Sequence, residues 1–297
     1  MTRTDSLVVW LLRAAWVTLP LTAGGVVSDA VMSWSTSSTV VAAILSWSTW
    51  GVGTVALLAP RPVGLTFIRG AAPAMLLVVV LAGTDAGADG VMAIAFAALT
   101  FVLALAPPFA FAAANGPAYG DEIRFPLRIP PALFLGPLPA AVGLLGAGVA
   151  AGPLLLGAER WLWGVTATVL GLPTAALAAR SLHGLSRRWS VVVPAGLVLA
   201  DPAVLSDPVL FRTERIVALR PLAPRARAGS DETDLRLGAA RGGVELALDS
   251  EADMLHVRRG RARSELTPTR VLWFCVVRRN RFLAAVRRRR RVDQRDA

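Results

Sequence analysis

Arginine side chains crowd the C-terminal end of the chain, where their spacing could bind an anion. Nine Arg fall between residues 278 and 295. Close to a bilayer, each basic residue can gain about 1 kcal/mol from acidic headgroups. We therefore predict a site for anionic lipid or a protein partner at Arg278, Arg279, Arg281, Arg287, Arg288, Arg289, Arg290 and Arg291. The alternative is a solvated charge run that keeps this end in the cytosol.

A second candidate site is the segment 115–131, NGPAYGDEIRFPLRIPP, which mixes opposite charges with four prolines. The prolines exclude a regular helix. We expect this segment to lie on the cytosolic face, where it docks the C-terminal region or lines an entrance, and its length favours docking. If the protein were an enzyme acting on lipid-linked substrates, its site would be here, at Asp121, Glu122, Arg124 and Arg128.

A third candidate is a polar and aromatic cluster inside an apolar stretch, formed by Ser46, Trp47, Ser48, Thr49 and Trp50. Hydroxyl groups in such a place commonly form hydrogen bonds between helices. They could instead face a cavity, and this alternative suggests a transporter or channel for a small neutral solute.

Motifs for catalysis and for cofactor binding are absent from the sequence. There is no Walker A loop, HExxH, GxSxG or CxxC, and the two histidines, His183 and His256, are far apart. Asp201 and Asp207 each precede proline, which favours turns over acid chemistry. We predict no enzyme activity, no metal and no cofactor. Nucleic-acid binding is not expected either, since no helix-turn-helix, RRM or stacking pattern is present.

The elements that hold these residues are mostly membrane helices. Hydrophobic residues make up 55% of the chain and charged residues 17%, which is far from a soluble composition. About 20 apolar residues cross a bilayer, and six segments qualify: 7–27, 39–58, 63–83, 91–114, 132–156 and 161–179. The third is the weakest because Arg69 interrupts it, and a re-entrant segment is its alternative. The first could be a signal peptide, but its length and Arg13 favour an uncleaved helix.

Charges between these segments predict the topology. With the N-terminus inside, the short inner segments carry Arg3, Arg61, Arg69, Arg124 and Arg128, whereas the outer ones carry only Arg160. This asymmetry obeys the positive-inside rule. It predicts a multi-pass protein of the bacterial cytoplasmic membrane with both termini in the cytosol. Residues 180–297 hold 24 Arg against 13 acidic residues and carry the whole net charge of +11, which implies an anionic partner.

From residue 180 onward, short alternating strands replace the apolar runs. Residues 189–193 and 197–201 predict a hairpin, and 280–291 a closing helix with Phe282, Leu283 and Val286 on one face. The segments RRWSVVVPAGLVLAD, VLFRTERIVAL and NRFLAAVRRR resemble, in their order, bacterial pleckstrin-homology-like domains attached to membrane helices. The resemblance covers residues 187–291, and the chain as a whole looks like actinobacterial polytopic membrane proteins of this build.

We therefore predict an α-helical membrane domain over 1–183, a small, mostly-β cytosolic domain over 184–291 and a polar tail over 292–297. The expected function is that of a non-enzymatic scaffold or regulatory protein whose basic domain binds anionic lipid or a protein partner. The sequence carries no signal for an oligomeric state.

Overall fold

Six helices are long and apolar enough to cross a membrane in the part of the chain that the structure describes. The structure is a computed structural model that describes residues 2–229, 231–257 and 265–296, with side chains to residue 289 apart from residue 265. Its first helices are α1 (Arg3–Ala30), α2 (Thr36–Leu58), α3 (Pro62–Gly83), α4 (Gly87–Leu105), a short α5 (Pro107–Asn115), α6 (Pro137–Gly157) and α7 (Trp161–Ser186). Without the short α5, these are the six helices of membrane-spanning length, and they confirm the predicted layout of a multi-pass membrane protein.

Helix α3, the weakest of the predicted spans, is continuous over 22 residues. At 1.5 Å per residue it is about 33 Å long, which matches the hydrocarbon core of a bilayer. Leu65, Ile68 and Val79 are buried along its length. It therefore has the length of a spanning helix, which a re-entrant segment lacks.

The fourth apolar segment is shorter than predicted. Helix α4 ends at Leu105 and α5 begins at Pro107, with Ala106 in an extended conformation between them. Proline lacks an amide hydrogen and disfavours helical backbone in the residue before it. The single helix predicted over 91–114 is therefore wrong: α4 has 19 residues and the length of a span, whereas α5 has nine.

Contacts divide the chain into two compact units. The first comprises Met1–Gly116 and Pro137–His183, and the second comprises Pro117–Gly136 and Gly184–Ala297. The boundary between the two units in this part of the chain falls after His183. The predicted domain 1–183 differs in one respect, because residues 117–136 group with the second unit. The predicted tail 292–297 also differs, since the last helix extends to Asp296.

The first unit has an apolar core between its helices. Trp16 of α1, Ile68 of α3 and Phe109 of α5 are fully buried there, with Leu57 of α2 and Ala97 of α4 beside them. These side chains fill the interior of the unit. The outer faces of its helices are also apolar and carry many exposed hydrophobic residues. That pattern suits a surrounding of lipid tails.

The second unit contains two four-stranded sheets and a helix. The first sheet has the order β1 (Ile123–Pro126), β2 (Trp189–Val193), β3 (Gly196–Ala200) and β4 (Val209–Arg212), all antiparallel. The second has the order β5 (Ile216–Pro221), β7 (Gly243–His256), β8 (Glu265–Cys275) and β6 (Glu232–Asp234), and helix α8 (Arg279–Asp296) closes the chain. The predicted small, mostly-β region with a C-terminal helix is thus confirmed. The hairpin is also present, with Gly196 at φ +146° in its turn.

Candidate anion-binding site

Helix α8 is fixed to the second unit by one apolar face. Phe282, Leu283 and Val286 are buried at the spacing of one helical face. The Phe282 ring packs edge to face on Phe125, with centroids 5.3 Å apart, and on Phe274 at 5.9 Å. The helix begins at Arg279, one residue before the predicted start. Because this face is buried against the unit, the arginines of α8 lie on the other faces of the helix.

The segment between α5 and α6 supplies an edge strand to the first sheet. Strand β1 pairs with β2 in a register that runs from Ile123 opposite Val192 to Pro126 opposite Trp189. Beyond the strand, the amide of Val277 donates to the carbonyl of Pro126 at 3.0 Å. The segment that was predicted to dock on the C-terminal region is therefore a strand of that region.

Sequence reasoning missed β1, although the signal was present. Apolar residues alternate at positions 123, 125, 127 and 129 in IRFPLRI, which is the period of a half-buried strand. The prolines of this segment argue against a strand, because proline cannot donate to the ladder. Proline is nevertheless compatible with an edge strand, where one side of the backbone makes no ladder.

A buried ion pair holds the base of the β2–β3 hairpin. Arg188 Nε and Nη2 donate to the two carboxylate oxygens of Asp201 at 2.6 and 2.7 Å, and both side chains are almost wholly buried. Arg188 Nη1 also donates to the carbonyl of Arg128 at 2.9 Å. Asp201 accepts in addition from the amide of Ala203, which forms the expected turn. One guanidinium thus links the hairpin to the segment that carries β1.

A cleft of about 680 Å³ lies beside α8 in this unit. One side is formed by residues 120–123, which precede and begin β1, together with Val192 of β2. The other side is formed by α8 through Arg281, Ala284, Ala285, Arg288 and Arg289. The cleft therefore combines guanidinium groups with a small apolar surface.

The two acidic residues that line the cleft, Asp121 and Glu122, each contact an arginine. The carboxylate of Glu122 accepts from Arg124 Nη2 at 2.6 Å and from the amide of Tyr119 at 2.8 Å. Asp121 accepts from Arg289 Nη2 at 3.0 Å through its main-chain carbonyl. Glu122 is thus paired with Arg124, and Asp121 contributes its main-chain carbonyl to Arg289.

The predicted arginines separate into groups. Arg281, Arg288 and Arg289 line the cleft, whereas Arg287 is exposed outside its lining. Arg279 Nη1 donates to the carbonyl of Leu222 at 3.1 Å, and Arg278 is half-buried before the helix. The side chains of Arg290 and Arg291 lie outside the described part of the structure.

The remaining residues of the predicted loop site have structural contacts. The Arg124 guanidinium lies 5.3 Å from the centroid of the Trp189 ring. The amide of Arg128 donates to the carbonyl of Cys275 at 2.9 Å. The structure thus brings Asp121 and Glu122 to the arginines of α8, while Arg124 and Arg128 support the segment around them.

The cluster of Ser46, Trp47, Ser48, Thr49 and Trp50 lies on α2 and contributes mainly one contact between helices. The indole N–H of Trp50 donates to the carbonyl of Trp16 at 3.1 Å, and that of Trp16 to the carbonyl of Trp50 at 3.0 Å. Trp47 packs edge to face on Trp50 but is 58% exposed, and Ser48 is also exposed. These hydrogen bonds between helices are made by indole groups, whereas the prediction named hydroxyl groups.

Other reactive groups are occupied by structural contacts. The Cys275 thiol is buried and donates to the carbonyl of Ala239 at 3.1 Å, and this burial raises the pKa of the thiol. The side chains of Thr66 and His183 hydrogen bond at 3.0 Å. Within the described residues no three His, Cys, Asp or Glu side chains are grouped to hold a metal. Comparison with protein-family models, curated proteins and solved structures found no match to this chain.

Proposed function

We propose that this chain is a non-enzymatic scaffold or regulatory protein of the bacterial cytoplasmic membrane whose second unit binds anionic lipid at the inner leaflet. The observation that carries the proposal is the cleft beside α8, where Arg281, Arg288 and Arg289 meet an apolar surface. Arginine suits this role because its planar guanidinium pairs with phosphate through two hydrogen bonds.

The charge distribution supports a cytosolic place for this unit. Five arginines lie on the short segments assigned to the inside and one on those assigned to the outside, as the positive-inside rule requires. The inner leaflet carries most of the anionic lipid that basic segments attract. A basic unit that is joined to several membrane helices stays close to the anionic inner leaflet.

The layout of the second unit also supports the proposal. Two four-stranded sheets and a closing helix agree with the order of elements that suggested a pleckstrin-homology-like domain. Strand β1 departs from that order, because it comes from the segment between α5 and α6. We infer a pleckstrin-homology-like unit completed by this inserted strand.

An acidic protein partner is the alternative occupant of the same arginines. Binding of a protein partner, unlike binding of lipid, would not depend on the lipid composition of the bilayer. The transporter hypothesis gains no support from the cluster on α2, since Trp50 bonds to Trp16 and Trp47 faces outward. The enzyme hypothesis gains none from Asp121 and Glu122, since Glu122 is paired with Arg124.

Trypsin protection of the full-length chain in nanodiscs tests the lipid proposal. Cleavage after Arg287 and Arg288, both exposed on α8, is compared between neutral phosphatidylcholine discs and discs that also contain phosphatidylglycerol. Exposed Arg225, in the loop between β5 and β6, serves as the internal reference. We expect acidic lipid to slow cleavage on α8 relative to Arg225, and salt to restore it. Equal relative rates in both discs would contradict lipid binding and favour the protein partner.

A further inference from the structure

The hairpin of β7 and β8 extends beyond the rest of its sheet. Strand β5 pairs with β7 over residues 244–248, and β6 pairs with β8 over residues 271–273. The two long strands remain paired with each other as far as His256 and Glu265. The outer half of the hairpin, residues 252–256 with 265–269, is therefore a two-stranded ribbon that passes the ends of its neighbours.

One face and one edge of this ribbon are fixed to the second unit. Met254 is fully buried. Along the edge, the amide of Ser206 donates to the carbonyl of Leu255, and the amide of Val257 donates to the carbonyl of Val204, both at 2.9 Å. Because successive side chains of a strand point to opposite faces, the face that carries Leu255 and Val257 is held outward.

The outward face ends in three exposed apolar side chains. Leu255 lies directly opposite Leu266 in the strand register, and Val257 follows two residues later on the same face. The exposed fractions of Leu255, Val257 and Leu266 are 38%, 44% and 58%. Apolar side chains that are exposed side by side, rather than scattered singly, indicate contact with another apolar surface.

The sequence that joins the two strands carries a charge that complements anionic lipid. Residues 258–264 read RRGRARS, with four arginines and no acidic residue. Segments that bind at a bilayer surface combine apolar side chains with basic ones, because the acidic headgroups attract the charge while the apolar groups enter the acyl region. An acidic protein surface would pair with the arginines but would offer no such apolar phase to the three side chains beside them.

We propose that the end of the β7–β8 hairpin enters the anionic inner leaflet through Leu255, Val257 and Leu266. This inference rests on the proposed function and makes it more specific, since it names the part of the second unit that contacts the acyl region. The chain also contains six helices of spanning length. Insertion is therefore an intramolecular step, in which even a small apolar contact is populated.

The test uses the fluorophore NBD, attached to Leu266→Cys in the full-length chain in nanodiscs. Val217→Cys is the matched control, because Val217 is 63% exposed and lies on β5 of the same sheet. The native thiol of Cys275 is buried. The discs contain phosphatidylcholine and phosphatidylglycerol, with nitroxide groups on the acyl chains.

We expect the emission at position 266 to shift to shorter wavelength and to be quenched, and the emission at position 217 to show neither effect. Absence of quenching at position 266 would overturn the insertion and leave the end of the hairpin to a protein partner. Equal quenching at both positions would overturn the assignment to the hairpin.

Variants without a label verify that the fluorophore does not drive the insertion. Leu266→Ser and Val217→Ser each replace one exposed apolar side chain, and an unchanged melting temperature verifies the fold of both. Hydrogen exchange of residues 252–257 is compared between discs with and without phosphatidylglycerol. We expect acidic lipid to slow this exchange in the unaltered chain and in Val217→Ser, and Leu266→Ser to lose the effect. An equal effect in both variants would overturn the role of Leu266.

Trypsin protection of α8 separates this inference from the proposed function. Protection of α8 without quenching at position 266 would overturn the insertion and leave lipid binding at the cleft intact. Quenching at position 266 without protection of α8 would support the insertion and overturn the role of the cleft. Absence of both effects would overturn lipid binding by the second unit altogether.

Discussion

Phe125 of the segment between α5 and α6 packs edge to face against Phe282 of the last helix, with ring centroids 5.3 Å apart. Both rings are buried. Residues separated by about half of the chain length therefore share one core. The second unit is complete only when strand β1, which belongs to the membrane half of the sequence, is present.

Replacing Phe125 with Ala should unfold or loosen the second unit. Removing a buried phenyl ring costs about 3–5 kcal/mol, which is a large share of the stability of a small domain. Hydrogen exchange of β2 and α8 in the full-length chain measures the effect, and we expect it to accelerate in both. Tyr119→Ala, at a ring in the same segment that is 90% exposed, is the control and should change neither. Unaltered exchange in the Phe125 variant would contradict a shared core.

The ion pair of Arg188 and Asp201 should be costly to break from one side. Asp201→Asn leaves a buried guanidinium without its carboxylate, which costs about 3–5 kcal/mol. Asp207→Asn is the matched control, because Asp207 also precedes proline but is exposed. Chemical denaturation followed by near-ultraviolet circular dichroism measures both variants.

A double variant tests the same pair further. The double variant Arg188→Leu with Asp201→Leu should be less destabilised than Arg188→Leu alone or Asp201→Leu alone, because no charge is then buried without its partner. Additive losses would show that the two side chains act independently.

Gly53 should resist replacement because of Trp16. A Cβ atom added at Gly53 would clash with the Trp16 ring, whereas one added at Gly51 meets nothing within 4 Å. Gly53→Ala should lower the thermal stability of the first unit in detergent by an overpacking cost of about 1–3 kcal/mol, with Gly51→Ala as the control on the same helix. Identical melting of the two variants would argue against the contact between α1 and α2.

Cysteine labelling tests the topology. The native thiol, Cys275, is buried, and its raised pKa keeps it protonated, so the unaltered chain should not react with an impermeant maleimide. Glu159→Cys, on the segment assigned to the outside, should be labelled on intact cells. Tyr119→Cys, which is exposed on the segment assigned to the inside, should be labelled only after lysis. Labelling of Tyr119→Cys on intact cells would reverse the proposed orientation.

Much of the fold could be predicted because its signals are local. Runs of apolar residues specify the six helices, and the turn before Gly196 specifies the hairpin of β2 and β3. The end of α4 at Leu105 also has a local signal, which is the pair Pro107 and Pro108. Hydropathy alone nevertheless predicts a helix that extends to residue 114.

The site required information that is not local. Arg188 and Asp201 are 13 residues apart and meet only through the register of a hairpin. The cleft depends on the pairing of β1 with β2 and on the face that α8 buries, and neither follows from the sequence of either element. The sequence identified Asp121, Glu122 and the arginines as separate candidates. Tertiary packing brings the two acidic residues into one cleft with Arg281, Arg288 and Arg289 and leaves Arg287 outside it.

Hydrogen exchange of the full-length chain in nanodiscs of phosphatidylcholine, without and with phosphatidylglycerol, tests the central claim most directly. We predict that residues 120–123 and α8 become protected together in the acidic discs, and that Arg288→Ala removes this protection while Arg287→Ala keeps it. Protection that is the same in both discs, or equally sensitive to both replacements, would contradict a lipid site in the cleft.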